Sequence, residues 1–528
     1  MKRTQLALML TPLALALLGL LGLAGIGGVS VVRRLQQWVA DRQPPADFRV
    51  LVLPGFVAEV AAKATGTNIP SAITFGPDER LYLLDAGGRL YRFDDADGDG
   101  LAETQTVLYD NPGGRVAHSV GLAFRDDGLL YLSYGGHIAT LEDSDGDGRL
   151  DKLTDIVEGL PTLQFPDHSN NGIAFGPDGK LYVGVGAVTD HGPLSDDPYE
   201  ARILRMNPDG SELETFATGF RNPYDLVFSP EGDLFTSDNN PSEFSRMMPY
   251  IPPEEINHVR QGLDYGFPTY YGRPPGDVTW PNVEPPITDL YAAVGSAGIT
   301  YYDEGPFPKK YHNGLFLAQW GTGANVALDR GISNGQNIIY VSLTPTEDGT
   351  FTAEWEVFAD FNLGLGDYRP VDVTVGPDGA LYVLEWSTGT VYRIRYDEAI
   401  AARLAAATPT PLLSVTMPEY PPELVAAGEL IYNSGAENTP ACVTCHLLDP
   451  NMNGLGPSLL GLYQIAGSRV PGLSAEVYVR QSIIAPNAFI VPNYSANYMY
   501  QLYGTALRPD QIDALVAYVL TLPEPEQP

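Results

Sequence analysis

Gly172-Ile173-Ala174-Phe175-Gly176-Pro177-Asp178-Gly179-Lys180-Leu181-Tyr182-Val183-Gly184 is the stretch whose reading decides the fold. An apolar β-type run enters a Gly-Pro-Asp-Gly turn and a second β-type run leaves it, which is the pattern of a β-hairpin. Ala72–Leu84, Gly121–Ser133, Asp225–Ser237 and Asp372–Leu384 repeat the pattern, and further strands such as Gly88–Phe93 and Gly389–Ile394 follow it. A more irregular sixth copy lies around Gly298–Leu317. Hairpin units recurring every roughly 40–50 residues bury their faces against one another in a ring. Residues 50–397 are therefore predicted to form an all-β six-bladed propeller; a β-sandwich gives no reason for such regular repetition.

Outward from the repeats, composition changes. Glu398 to Pro421 is rich in Ala, Thr and Pro and reads as a linker, 398–421. Beyond it, 422–525, helical patterns cover Glu423–Asn433, Ala475–Ile484 and Pro509–Leu522, the last with proline in its first turn. A small all-α domain is predicted there.

That domain holds both cysteines of the 528-residue chain, in Cys442-Val443-Thr444-Cys445-His446. Two thiols one helical turn apart can form thioethers to the two vinyl groups of a haem, and the adjacent imidazole then meets the iron. A redox dithiol would need a βαβ context that the pattern lacks. His446 is the only histidine after residue 421, so the second axial ligand must be another residue type. Met452 is too near His446 to reach the opposite face, which leaves Met499; His/Met ligation raises the potential, as suits an electron acceptor. The segment from about Pro422 to Leu522 resembles class I cytochromes c. The resemblance implies that Gly456-Pro457 provides a carbonyl for the histidine's other N–H, while the usual Met-Pro is here Met499-Tyr500.

The N-terminus, Met1-Lys2-Arg3 followed by an apolar run from Leu6 to Val32 and then Arg33-Arg34, is long enough to span a bilayer and too long for an ordinary cleavable signal core. Residues 1–35 are read as a hydrophobic signal-anchor helix, with Gly22-Leu23-Ala24 a weak cleavage alternative. Because c-type haem is attached beyond the cytoplasmic membrane in bacteria, the chain is expected on the periplasmic or extracellular face, anchored through this segment. The net charge of −34 excludes a nucleic-acid partner that would need a basic face.

The propeller resembles the soluble quinoprotein sugar dehydrogenases, and more closely the sorbosone-type and pyranose dehydrogenases. Asp167-His168, followed by Asn171-Gly172, matches the segment that carries the family's proton-abstracting histidine. Phe220-Arg221-Asn222-Pro223 matches an Arg-Asn-Pro whose arginine clamps a carboxylate of pyrroloquinoline quinone (PQQ). Asn239-Asn240-Pro241 falls where backbone carbonyls bind Ca2+, supported by Glu254-Glu255-Ile256-Asn257 and Asp264–Pro268, and Arg369 matches a second cofactor arginine. Two departures stand out. Ala187 occupies the place of the aspartate that orients the base, with Asp190 the nearest acid, and the lysine aimed at PQQ falls near Gln319-Trp320-Gly321. His118, on the loop corresponding to the rim of the same pocket, is a second histidine candidate.

Two further loops, Asp95-x-Asp97-x-Asp99-Gly100 and Asp143-x-Asp145-x-Asp147-Gly148, carry alternating acids and a turn glycine like calcium loops, without the Glu at position twelve of an EF-hand. The expectation is an oxidoreductase that oxidises a sugar, polyol or related alcohol at PQQ and passes electrons to its haem c and on to an external acceptor of the respiratory chain. The alternative is a propeller that binds a ligand or partner without turnover, attached to an electron-carrying cytochrome.

Overall fold

The protein is described by a computed structural model over residues 50–524, apart from 68, 163–169, 190–192, 242–251, 275–277, 323–334, 362–367, 407–416, 437–438, 449–455, 470–473, 485, 487–488, 490, 492–498 and 501–502. The expected N-terminal helix of residues 1–35 lies outside the described residues. Among the described residues, no helix is long and apolar enough to cross a membrane.

Six antiparallel sheets form the six blades. Their inner strands are Pro70–Phe75, Gly121–Phe124, Asn170–Phe175, Pro223–Phe228, Ser296–Tyr302 and Pro370–Val375. The irregular sixth copy of the sequence is thus the fifth blade in the ring. One feature has no signal in the hairpin repeats: Phe56–Lys63, at the start of the described chain, pairs with Thr390–Tyr396 as the outer strand of the sixth blade. First and last parts of the chain are laced into one sheet, which closes the ring.

The repeated motif shows why it recurs. In the third blade Asp178 accepts the Lys180 N–H at 3.1 Å and the Tyr182 hydroxyl at 3.0 Å, fixing the turn to the strand that follows. Asp78 with Tyr82 and Asp378 with Tyr382 do the same in the first and sixth blades. Gly179 sits at φ 73°, a left-handed conformation that glycine adopts without strain. The motif's Phe and Tyr serve adjacent blades: Tyr82–Phe124, Tyr131–Phe175, Tyr182–Phe228 and Tyr382–Phe75 meet edge to face at 4.8–5.0 Å. Such pairs contribute about 0.5–1.5 kcal/mol each beyond burial, so the same residues that make a hairpin also stack one blade on the next.

Around the axis, the position occupied by Ala72, Gly121 and Gly172 in the first three blades is Asp225, Gly298 and Asp372 in the rest. Asp225 accepts the Ile299 N–H from the fifth blade at 3.0 Å, and Asp372 accepts the Ile73 N–H from the first at 2.6 Å. Each aspartate lies against a glycine of the preceding blade, Gly172 and Gly298, where a side chain would have no room. These two carboxylates clasp neighbouring blades across the axial cavity, and burial pushes both above the ordinary carboxylate range.

After the propeller come helices α1 (Glu398–Ala406), α2 (Pro422–Ser434), α3 (Leu462–Arg469), α4 (Ala475–Ile484), α5 (Tyr503–Ala506) and α6 (Pro509–Leu520). The segment expected as a linker therefore opens with a helix. The three helices read from sequence correspond to α2, α4 and α6. Their shared core includes Tyr432, Ala466, Val479, Leu515 and Leu520. At Gly428 the α2 backbone approaches α6 so closely that a Cβ would lie 2.7 Å from the Ala514 carbonyl carbon.

Candidate functional site

In each blade the segment before the inner strand and the loop after the second strand emerge at the same end of the sheet, because the strands alternate in direction. Arg221 and Arg369 precede inner strands, while Asn240, Pro241 and Trp320 follow second strands, so all five belong to one end of the propeller.

Buried acids anchor the backbone on either side of the arginines. Asp238 accepts the N–H groups of Arg221 at 3.0 Å and Asn222 at 2.6 Å. Glu385 accepts those of Arg369 at 2.9 Å, Ser387 and Thr388. The Arg221 guanidinium donates to the Asn239 carbonyl at 2.8 Å. That of Arg369 lies 3.9 Å over the Trp320 ring and donates to the carbonyls of Trp320 and Gly321 at 3.2 Å. Both side chains are thus held at the rim by carbonyl oxygens and a ring face. A planar fork held in this way suits a carboxylate-bearing ligand. The acids behind them had no place in the motif reading. Their signal is a repeat: the second strands Leu81–Asp85, Leu234–Asp238 and Leu381–Glu385 all end in an acid opposite a proline.

His168, Asp167 and Asp190 lie outside the described residues. Asn171, three positions after His168, donates to Asn222 Oδ1 at 2.8 Å and the Pro223 carbonyl at 3.1 Å, which ties the strand following His168 to the Arg221 loop. Ala187 is fully buried and its N–H bonds the Arg221 carbonyl at 2.7 Å. Nearby, Glu200 accepts the N–H groups of Val188 and Ser195 and so pins both ends of the loop that contains Asp190; motif comparison missed it. His118 is exposed, on the loop entering the second blade at the same end.

Asn240 is buried and donates to the Pro253 carbonyl and to Glu255 Oε1, both at 2.7 Å. Asp238, Glu254 and Glu255 are all buried here, and burial pushes each carboxyl above its ordinary range. So much negative charge with oxygen donors beside it is the chemistry a hard divalent cation neutralises.

The acid loops occupy the opposite end. Asp95, Asp97, Asp99 and Glu103 form one group and Asp143, Asp145 and Asp147 another, each with carboxylate oxygens within 4.8 Å of one another and exposed. They join third to fourth strands of the first two blades, at the end away from Arg221 and Arg369.

A second site lies in the helical segment. Cys442, Cys445, His446 and Met499 line one apolar cavity with Leu459, Val479, Ile483, Phe489 and Leu515; its empty volume is about 1020 Å3, including the part open to solvent. His446 Nδ1 bonds the Pro457 carbonyl at 2.8 Å, as the sequence implied, which fixes the ring and reserves Nε2. Gly456 lies under the ring, where a Cβ would stand 2.6 Å from His446 Cε1. Burial holds the imidazole below its ordinary pKa, hence neutral and able to bind metal, and pushes the Cys442 thiol up to about 11. Cys442 and Cys445 are not joined in a disulfide. Two cysteine sulfurs, a neutral imidazole and a thioether around one apolar cavity fit a covalently attached haem.

Residues 49–404 match the family described as "Domain of unknown function (DUF7133)". Among curated proteins, the chain is 26% identical to an uncharacterized protein of Borreliella burgdorferi over 42% of this chain and 58% of that one. It is 24% identical to quinoprotein glucose dehydrogenase B of Acinetobacter calcoaceticus over 39% and 51%. It is 23% identical to an aldose sugar dehydrogenase of Escherichia coli over 46% and 65%. The chain thus spans about half to two thirds of the length of these relatives. Two solved structures share the fold with a TM-score of 0.54. One is a Carbohydrate-Active Enzymes Family AA12 protein of Trichoderma reesei, 18% identical over 66% of this chain and 98% of that one. The other is the holo PQQ domain of pyranose dehydrogenase from Coprinopsis cinerea, 16% identical over 67% and 98%. The propeller fold is shared with both of these structures.

Proposed function

The chain belongs to the DUF7133 family over residues 49–404, and from that premise we propose that it is a PQQ-dependent dehydrogenase that oxidises a sugar, polyol or related alcohol and passes the electrons to its own c-type haem. The observation that carries the proposal is the apolar cavity that gathers Cys442, Cys445, His446 and Met499. A covalently held one-electron carrier in the same chain gives a quinoprotein-like propeller a route for electrons. A propeller that only binds a ligand has no use for one.

In this reading PQQ supplies a two-electron acceptor and the haem a one-electron carrier. Arg221 and Arg369 hold the carboxylates of the quinone, with Trp320 keeping the Arg369 fork in plane. Backbone carbonyls at Asn240 and Pro241 serve Ca2+. An imidazole nitrogen of His168 would take the proton of the substrate hydroxyl, and the Asn171–Asn222 bond ties the strand that follows His168 in sequence to the arginine loop. Cys442 and Cys445 would hold the haem through thioethers, and His446 Nε2 and Met499 would supply ligands to its iron. Keeping both sites in one chain makes the second transfer intramolecular, at high effective concentration. The chain acts on the outer face of the cytoplasmic membrane, held through residues 1–35, and hands electrons to an external acceptor of the respiratory chain. The acid loops at Asp95–Asp99 and Asp143–Asp147 hold structural Ca2+.

The test is a screen of sugars and alcohols against haem reduction, with and without PQQ and Ca2+. Reduction that requires PQQ and is lost in His168→Ala supports the proposal. Haem that stays oxidised with every substrate favours the binding-module reading instead.

A further inference from the structure

Gln319 ends the second strand of the fifth blade, opposite Ser296. The same place holds Asp85, Asp238 and Glu385 in the first, fourth and sixth blades, opposite Pro70, Pro223 and Pro370. Those carboxylates are occupied by backbone: Asp85 accepts the Arg89 N–H, Asp238 those of Arg221 and Asn222, and Glu385 those of Arg369, Ser387 and Thr388.

The fifth blade meets the same demand by another route. Glu254, from the fourth blade, accepts the N–H groups of Gly295 at 2.9 Å and Ser296 at 2.7 Å. Gln319 is thereby released from the anchoring role, and a carboxamide stands where the first, fourth and sixth blades have a carboxylate. Gln319 is 1% exposed, yet its Nε2 has no hydrogen-bond partner among the described residues. A buried amide donor left unmatched is costly, and a native fold retains one where something else completes it. Its surroundings say what that is. The next residue, Trp320, carries the Arg369 guanidinium on its ring. The Ser296 carbonyl accepts the Asn239 amide at 2.5 Å, and the Asn239 carbonyl accepts Arg221 at 2.8 Å. Gln319 therefore sits within the chain of contacts that links the two arginines.

We infer that Gln319 is a cofactor-positioning residue, whose Nε2–H completes its hydrogen bonding on an anionic or carbonyl oxygen of the ligand held by Arg221 and Arg369. The inference rests on the reading of that ligand as PQQ. It gives this chain a neutral donor in the region where the resembling enzymes aim a lysine, so the ligand is oriented there without added positive charge.

The experiment titrates PQQ, with Ca2+ present, into the full chain and into Gln319→Met and Gln319→Glu, and measures thermal midpoints of the PQQ-free proteins. Methionine removes the unmatched donor at similar volume, and glutamate keeps the shape but offers an acceptor. The expected result is a PQQ-free midpoint for Gln319→Met equal to or above wild type, with the PQQ dissociation constant raised roughly 10- to 100-fold in both variants. A lower midpoint for Gln319→Met with unchanged PQQ affinity overturns the inference, since the amide would then serve an internal bond. If the unaltered chain binds no PQQ, the reading of the site falls, a result distinct from binding that ignores Gln319.

Discussion

Gly298→Ala tests the clasp between blades more sharply than any substitution in the hydrophobic core. A Cβ on Gly298 would stand 2.7 Å from Asp372 Cα and 2.8 Å from its Cγ, distances that real side chains do not tolerate. Gly298 is not in the left-handed region, so the whole effect is steric. To make room, Asp372 must retreat from the Ile73 N–H, which it now accepts at 2.6 Å across the joint where the ring closes. Overpacking costs about 1–3 kcal/mol, and losing the hydrogen bond adds about 0.5–1.5 kcal/mol, so the sum is roughly 1.5–4.5 kcal/mol. Unfolding entropy is about 2.1 cal/mol/K per residue, which over the roughly 340 residues from Phe56 to Tyr396 makes that a fall of about 2–6 °C in the propeller's midpoint. Tryptophan fluorescence is the assay, because all five tryptophans precede the helical segment. Combining Gly298→Ala with Asp372→Ala removes the carboxylate part of the clash and leaves only the approach to the Asp372 Cα, so the double variant should lose less than the two single losses added together. A Gly298→Ala midpoint within 1 °C of wild type, or simple additivity in the double variant, would refute the reasoning.

Other consequences follow from the same contacts. Asp225 has its carboxyl pushed up to about 7, first by burial, against about 3.9 in the unfolded chain. The native state therefore binds the extra proton, and this contribution to stability is full below about pH 4 and lost as pH rises through about 7. Thermal midpoints across that window should show the wild type losing ground to Asp225→Asn, and parallel curves would contradict it. Gly456→Ala drives a methyl into the His446 ring and weakens the Nδ1 bond to Pro457, which makes the imidazole less basic; potentiometric titration should give a higher haem potential, and an unchanged potential would show that the ring is not held this way. Arg369→Lys loses the planar stack on Trp320, so PQQ affinity should fall at least roughly tenfold with little change in the midpoint without PQQ, about the worth of one charged hydrogen bond.

The propeller was legible because its signal is local and repeated: an aspartate in the turn, a tyrosine two residues into the next strand, and a phenylalanine for the neighbouring blade. The strand that closes the ring was not, since Phe56–Lys63 pairs with residues more than three hundred positions away and carries no hairpin mark. Arg221, Asn222 and Arg369 could be found by motif, and the structure brings them to one end with Asn240 and Pro241. Their supports Asp238, Glu385 and Glu200 act through backbone N–H groups, a role any sequence of turns can require of an acid. Comparing blades at one register position would have exposed the first two, and Gln319 as a carboxamide at the same place. The lining of the apolar cavity in the helical segment was the most legible part, because the two thiols, the imidazole and the Gly-Pro carbonyl are confined to sixteen consecutive residues, Cys442–Pro457. Met499 came by elimination, and the fold sets it in the same cavity.

The most direct test of the account is rapid mixing of the full chain, loaded with PQQ and Ca2+, against an oxidisable sugar while the haem spectrum is followed. The account predicts that the reduced haem bands appear at a rate independent of protein concentration, and only when PQQ is bound. Haem that remains oxidised while the sugar is consumed, or that is reduced equally well without PQQ, would contradict it.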